Sequence, residues 1–126
     1  MPFRTAHDAA DPVGYFLASS GIKFLFATDT AYIENRFKGL TAVAIECNYQ
    51  RYILKENIES GKLPRSMYKR LRNNHFELDK VVKFFKENDL SSVEIIYLMH
   101  LSDGNSNEKE MKKAVMGATG LPVVVC

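Results

Sequence analysis

Residues 94–110 read EIIYLMHLSDGNSNEKE. An apolar run of strand character stops on His100, passes through the turn residues Leu-Ser-Asp-Gly-Asn, and opens into an acidic stretch of helical spacing. A strand followed by a short polar turn and a helix is the repeating unit of an α/β layer. Turn chemistry explains Ser102, Asp103 and Gly104. It does not explain a histidine at the tip of the strand.

The same alternation extends outward from this stretch. Toward the C-terminus, 105–120 reads as a helix capped at its start by Asn105 or Ser106 and ended by Gly120, and 121–126 as a last strand. Toward the N-terminus, 92–100 reads as the strand and 76–90 as an amphipathic helix with Leu78, Val81, Val82 and Phe85 on one face. Residues 64–74 open on Pro64 as a short basic helix, and 48–63 keep near-helical spacing until Gly61. Residues 40–47 form a strand candidate. Runs 12–19 and 22–28, joined by Ser20-Gly21, form an antiparallel hairpin. A hairpin followed by strand–helix–strand units predicts a mixed sheet.

The composition restricts the class. The 126 residues suffice for one small domain, with no repeat, linker or low-complexity segment. With 46% hydrophobic and 25% charged residues, the chain belongs with folded globular proteins and not with disordered ones. No apolar run approaches the roughly 20 residues of a membrane span, and the N-terminus has no apolar signal core. A net charge of +2 does not by itself argue for nucleic acid. Cys47 and Cys126 lie far apart without a CxxC spacing, as expected of reduced thiols in a cytoplasmic protein.

Polar residues at strand ends carry the candidate chemistry. Asp29 follows one apolar strand, Glu46 ends a second and His100 ends a third. His7 precedes the hairpin, and His75 precedes the amphipathic helix. Side chains at strand ends of open α/β sheets line crevices on rigid supports. His and Asp are common nitrogen and oxygen ligands of zinc-like metals. Each also has a plainer explanation: Asp29 as a turn or cap residue, His7 as a solvated side chain, His100 as a satisfied core histidine and His75 as a cap neighbour. Glu46 within AVAIEC needs a partner if it is buried. There is no HxH, HExxH or CxxC spacing, so residue types alone leave a metal site open.

Taken together and in order, AHDAADPVGYFL, FLFATDTAY, AIECNY, NNHFELD and YLMHLSDGN resemble the second half of a metallo-β-lactamase-fold hydrolase. The branch is the one similar to RNase Z and to the bacterial nuclease-like YycJ/WalJ proteins. The resemblance implies half of an αββα sandwich, a mixed sheet covered by helices. It implies His7, Asp29 and His100 as metal ligands, with Asp29 bridging two metals. It implies Glu46 and His75 as a catalytic pair that protonates the leaving group. Zinc is the expected metal, with manganese an alternative. The implied activity is hydrolysis of phosphodiester bonds.

The HxHxDH motif of that family is absent. Residues 1–126 are therefore expected to form a single domain, the C-terminal part of the fold, active in full-length or complemented form. A companion N-terminal half or a homodimer would cover its inner sheet face. A second class stays open: a catalytically inactive fragment or interaction domain with a vestigial metal site. Alanine stands at position 31 where the family pattern has glycine, which matters only if the backbone there needs positive φ. The basic run 61–75 offers Lys69, Arg70 and Arg72 as contacts for substrate phosphates, beside the alternative of a solvated helix face. Nucleic-acid binding by such a run would be led by the backbone and sensitive to salt.

Overall fold

A computed structural model describes residues 2–4 and 13–126. His7 lies outside the described residues. The described residues form one six-stranded sheet in sequential order, with four helices. The strands are β1 (Pro2–Arg4), β2 (Val13–Ser19), β3 (Ile22–Ala27), β4 (Ala42–Glu46), β5 (Ile95–Met99) and β6 (Val123–Val125). The helices are α1 (Arg51–Glu59), α2 (Ser66–Asn74), α3 (Leu78–Glu87) and α4 (Glu108–Thr119). Strands β1, β2 and β3 pair antiparallel, and β3 to β6 pair parallel. This is the expected α/β fold: a mixed sheet with helices, consistent with half of an αββα sandwich. The strand β1 was not anticipated.

Local chemistry sets the element ends. Ser19 pairs with Ile22 across the hairpin, and Ser20 and Gly21 take φ of 47° and 81°. Positive φ at both central residues is the type I′ geometry that matches strand twist. Gly120 closes α4 in the left-handed region at φ 69°, its N–H bonded to the Met116 carbonyl. The start of α4 differs from expectation. Its N-cap is Asn107, whose side chain accepts the Glu110 N–H, whereas Asn105 and Ser106 belong to the preceding turn. The shift places Glu108 and Glu110 in the first turn, where the helix dipole favours them.

One sheet face carries the core. Leu25, Val43, Ile45, Ile96, Leu98 and Val123 pack there against Phe76, Leu78, Val81, Phe84 and Phe85 from α3 and its start, and Met111 and Val115 from α4. Val82 is only partly buried and Phe84 replaces it on the inner face of α3. A smaller cluster of Tyr49, Leu54 and Leu71 joins α1 to α2. The opposite sheet face is also apolar. It shows Tyr15, Leu17, Phe24, Phe26, Ile95, Tyr97 and Val124, with Leu17 52% and Val124 40% exposed.

Candidate functional site

The parallel pairing of β3, β4 and β5 brings three strand ends side by side. Asp29 lies two residues beyond β3, Glu46 is the last residue of β4, and His100 directly follows β5. His75 arrives from the C-cap of α2. One ligand atom from each of Asp29, Glu46, His75 and His100 can be chosen so that all four lie within 4.8 Å of one another. Residues 17 to 29 positions apart in the chain or more thus converge because the sheet aligns their strands.

Glu46 is the hub. It is 0% exposed, and its carboxylate accepts from four N–H groups. Oε1 takes His100 Nδ1 at 2.6 Å and His75 Nδ1 at 2.8 Å. Oε2 takes the backbone N–H of Thr30 and of Phe76, each at 3.1 Å. These contacts offset the cost of burying a carboxylate within an apolar strand. They also set the tautomers: a carboxylate oxygen only accepts, so both imidazoles present Nδ1–H to it and keep Nε2 for other work. The rings of His75 and His100 meet edge to face, with centroids 5.2 Å apart. His100 Nδ1 also lies 3.4 Å from Asp29 Oδ1.

The backbone at two of the four positions is unusual. Asp29 has φ 53° and His100 has φ 58°, both in the left-handed region. Apart from Ser20 in the hairpin turn, these are the non-glycine residues with positive φ among the described residues. Side chains are held there at a cost, and such conformations collect at ligand-binding sites. Ala31 has no positive φ and is buried, so the alanine is accommodated without strain.

The surroundings support His100. Asn48 donates to the His100 carbonyl at 2.8 Å, and Ser102 N–H donates to the Asn48 carbonyl at 2.8 Å. Asn48 Oδ1 is buried without a hydrogen-bond partner among the described residues. Ser102 Oγ accepts from Asn105 N–H, so Ser102 is a turn residue, while Asp103 is exposed at the loop surface. The hydrogen bond to Glu46 raises the pKa of His75 above the usual imidazole value, although partial burial opposes it. Buried Cys47, next to Glu46, has its thiol pushed up by desolvation and stays protonated.

The donor set suits a divalent cation. Two imidazoles and a carboxylate offer nitrogen and oxygen ligands of the type zinc and manganese accept. Asp29 and the side chain of His100 are solvent-accessible, while both Glu46 oxygens are already engaged. Glu46 therefore suits orientation of the imidazoles better than direct ligation.

The basic residues of α2 separate. Arg70 is close enough to His75 for its charge to act on the imidazole. Arg72 instead borders a concavity with Tyr49, Arg51, Tyr68 and Lys80. Lys69 is exposed on the helix surface. Arg70 and Arg72, two residues apart on the helix, point to different faces, while Lys69 and Arg72, three apart, are neighbours. The backbone donors of Thr30 and Phe76 had no sequence signal, because any residue carries an N–H.

No family model matches the chain. A curated relative, exodeoxyribonuclease YycJ of Bacillus anthracis, is 29% identical to it over 117 residues. That alignment covers 88% of this chain and 42% of the relative. The chain thus spans less than half the length of the curated relative it matches. The similarity supports the kinship suggested by the five segments. No helix among the described residues is long and apolar enough to cross a membrane.

Proposed function

We propose that the chain is the C-terminal part of a metal-dependent hydrolase of the metallo-β-lactamase superfamily, acting on phosphodiester bonds of DNA when complemented by the rest of that fold. The observation that carries this reading is the convergence of Asp29, Glu46, His75 and His100 at three parallel strand ends, two of them on left-handed backbone. The name of the relative, an exodeoxyribonuclease, supports DNA as the substrate class.

Asp29 and His100 would hold a divalent metal, with His7 as the further ligand that the resemblance implies. When bound, such a metal lowers the pKa of a water and neutralises phosphoryl charge. Glu46 keeps both imidazoles in the Nδ1–H tautomer and aims them into the site. The Glu46 hydrogen bond raises the pKa of His75, which favours the protonated imidazole as the group that gives a proton to the leaving oxygen. Arg70 adds positive charge beside this position.

The second reading is an interaction domain with a vestigial site. The uncovered apolar sheet face favours it, since a companion half or a second copy would find its docking surface there. Elemental analysis of the purified chain separates the two. About one zinc or manganese per chain, lost in Asp29→Ala and His100→Ala variants that still fold, supports the hydrolase reading. A folded wild-type chain that takes up no metal under excess zinc or manganese, both alone and with the rest of the fold supplied, overturns it.

A further inference from the structure

A second polar concavity, of about 330 Å³, lies between α1, α2 and α3. Tyr49, Arg51, Tyr68, Arg72 and Lys80 line it. Arg51 lies 3.3 Å from buried Glu77 at the back of this region. Arg72 and Lys80 have no ion pair among the described residues. Three cations and one carboxylate leave an excess of positive charge facing one hollow. A hollow lined by one sign of charge concentrates anions.

The frame is rigid. Tyr49 is buried and packs with Leu54 and Leu71, and Tyr68 rests on the same cluster. Leu78 N–H donates to the Tyr49 carbonyl at 2.9 Å, and Tyr49 bridges Glu77. Burial, with Glu77 nearby, pushes the Tyr49 phenol up to about 12, so it remains a hydrogen-bond donor at neutral pH. Two guanidinium groups, an ammonium and two phenols form a donor set, and a phosphate group has acceptor oxygens for it. The convergence of three cations on one hollow, instead of along a groove, suits a phosphomonoester. A terminal phosphate can carry two negative charges, while a bridging diester carries one.

We infer that this concavity binds a terminal phosphate, the phosphorylated end of a DNA strand. The phosphate pocket stands on its own geometry; the assignment to DNA rests on the nuclease reading. Tyr49 is three residues beyond Glu46, and Arg72 is three residues before His75, so the pocket lining is close in sequence to two of the four site residues. It would anchor a strand end while the backbone runs toward Asp29 and His100.

The test is DNA binding in EDTA, where hydrolysis cannot contribute. Single-stranded oligodeoxynucleotides carrying a phosphate at the 5′ end, at the 3′ end or at neither are titrated against the full chain by fluorescence anisotropy. The wild type should bind one phosphorylated oligonucleotide about tenfold more tightly than the unphosphorylated one, as expected for a charge-assisted anchor. The preference should vanish in Arg72→Gln/Lys80→Gln, whose exposed or half-exposed side chains can be changed with the thermal melt preserved. Inorganic phosphate should compete for the wild type alone. Equal binding of all three oligonucleotides overturns the DNA-end assignment, even if inorganic phosphate binds. A preference that survives in the double variant overturns the pocket. Loss of metal binding or hydrolysis elsewhere leaves this readout unaffected, so the two proposals fail separately.

Discussion

The two faces of the sheet are built from the same strands and have opposite fates. On one face, Leu25, Val43, Ile45, Ile96 and Leu98 are fully buried under α3 and α4. On the other, Tyr15, Leu17, Phe24, Phe26, Ile95 and Tyr97 are comparably apolar yet partly or fully exposed. Strands that are apolar on both faces are normally covered on both. Side-chain character therefore describes both faces as interior, and only the helices decide which one is interior within this chain. The end of the bare face is different again. Glu46 shares its side of β4 with Ala42 and Ala44, yet it is closed off by Thr30, His75, Phe76 and His100.

This contrast can be broken by mutation. Phe85→Ala, on the helix-covered face, should cost about 3–5 kcal/mol in denaturant unfolding, because it removes a buried ring and leaves a cavity. Glu46→Ala should cost about 3 kcal/mol by the same measurement, since it strands buried N–H donors of Thr30 and Phe76 and both imidazoles. A loss under 1 kcal/mol there would show that the strand-end cluster contributes little to stability.

The pH dependence of unfolding sharpens the role of that cluster. The folded state raises the pKa of His75 above 6.5, so protonated His75 is favoured on folding. Its contribution is fully present below 6.5 and is lost as pH rises through the raised value. Stability should fall across this window in the wild type and fall less in His75→Gln. Parallel curves for the two proteins would detach His75 from the ion pair.

The smallest effect belongs to the bare face. Leu17→Ser should change unfolding free energy by less than about 0.5 kcal/mol, because the side chain is 52% exposed. Its effect should appear instead in sedimentation velocity, as less self-association. A loss comparable to that of Phe85→Ala would mean that this face is already covered in solution.

Much of this was legible in the chain because the signals are local. Ser20-Gly21 between apolar runs forced the hairpin, Gly120 ended α4, and helical spacing marked α3, each through contacts within a few residues. Asp29, Glu46, His75 and His100 stood out as polar residues at element ends, and the family resemblance grouped them. Element boundaries were less legible. Asn105, Ser106 and Asn107 can each cap a helix, and tertiary hydrogen bonds selected Asn107, with Gln50 Oε1 accepting its N–H at 2.7 Å.

Other features needed the folded chain. The meeting of two imidazoles on one oxygen of Glu46 depends on the parallel register of β4 with β5 and on where α2 ends. The left-handed backbone at Asp29 and His100 was not legible either, since Asp and His adopt it more readily than most residues but do not demand it. The concavity of Arg51, Arg72 and Lys80 draws on three helices, and the spacing of basic residues along α2 could not foretell it. By itself the sequence determined the strands other than β1, the helices and the polar residues at their ends, because turn and periodicity rules act over a few residues. Only the tertiary structure decided which of those residues share an atom, because that depends on strand register and helix placement over distances of dozens of residues.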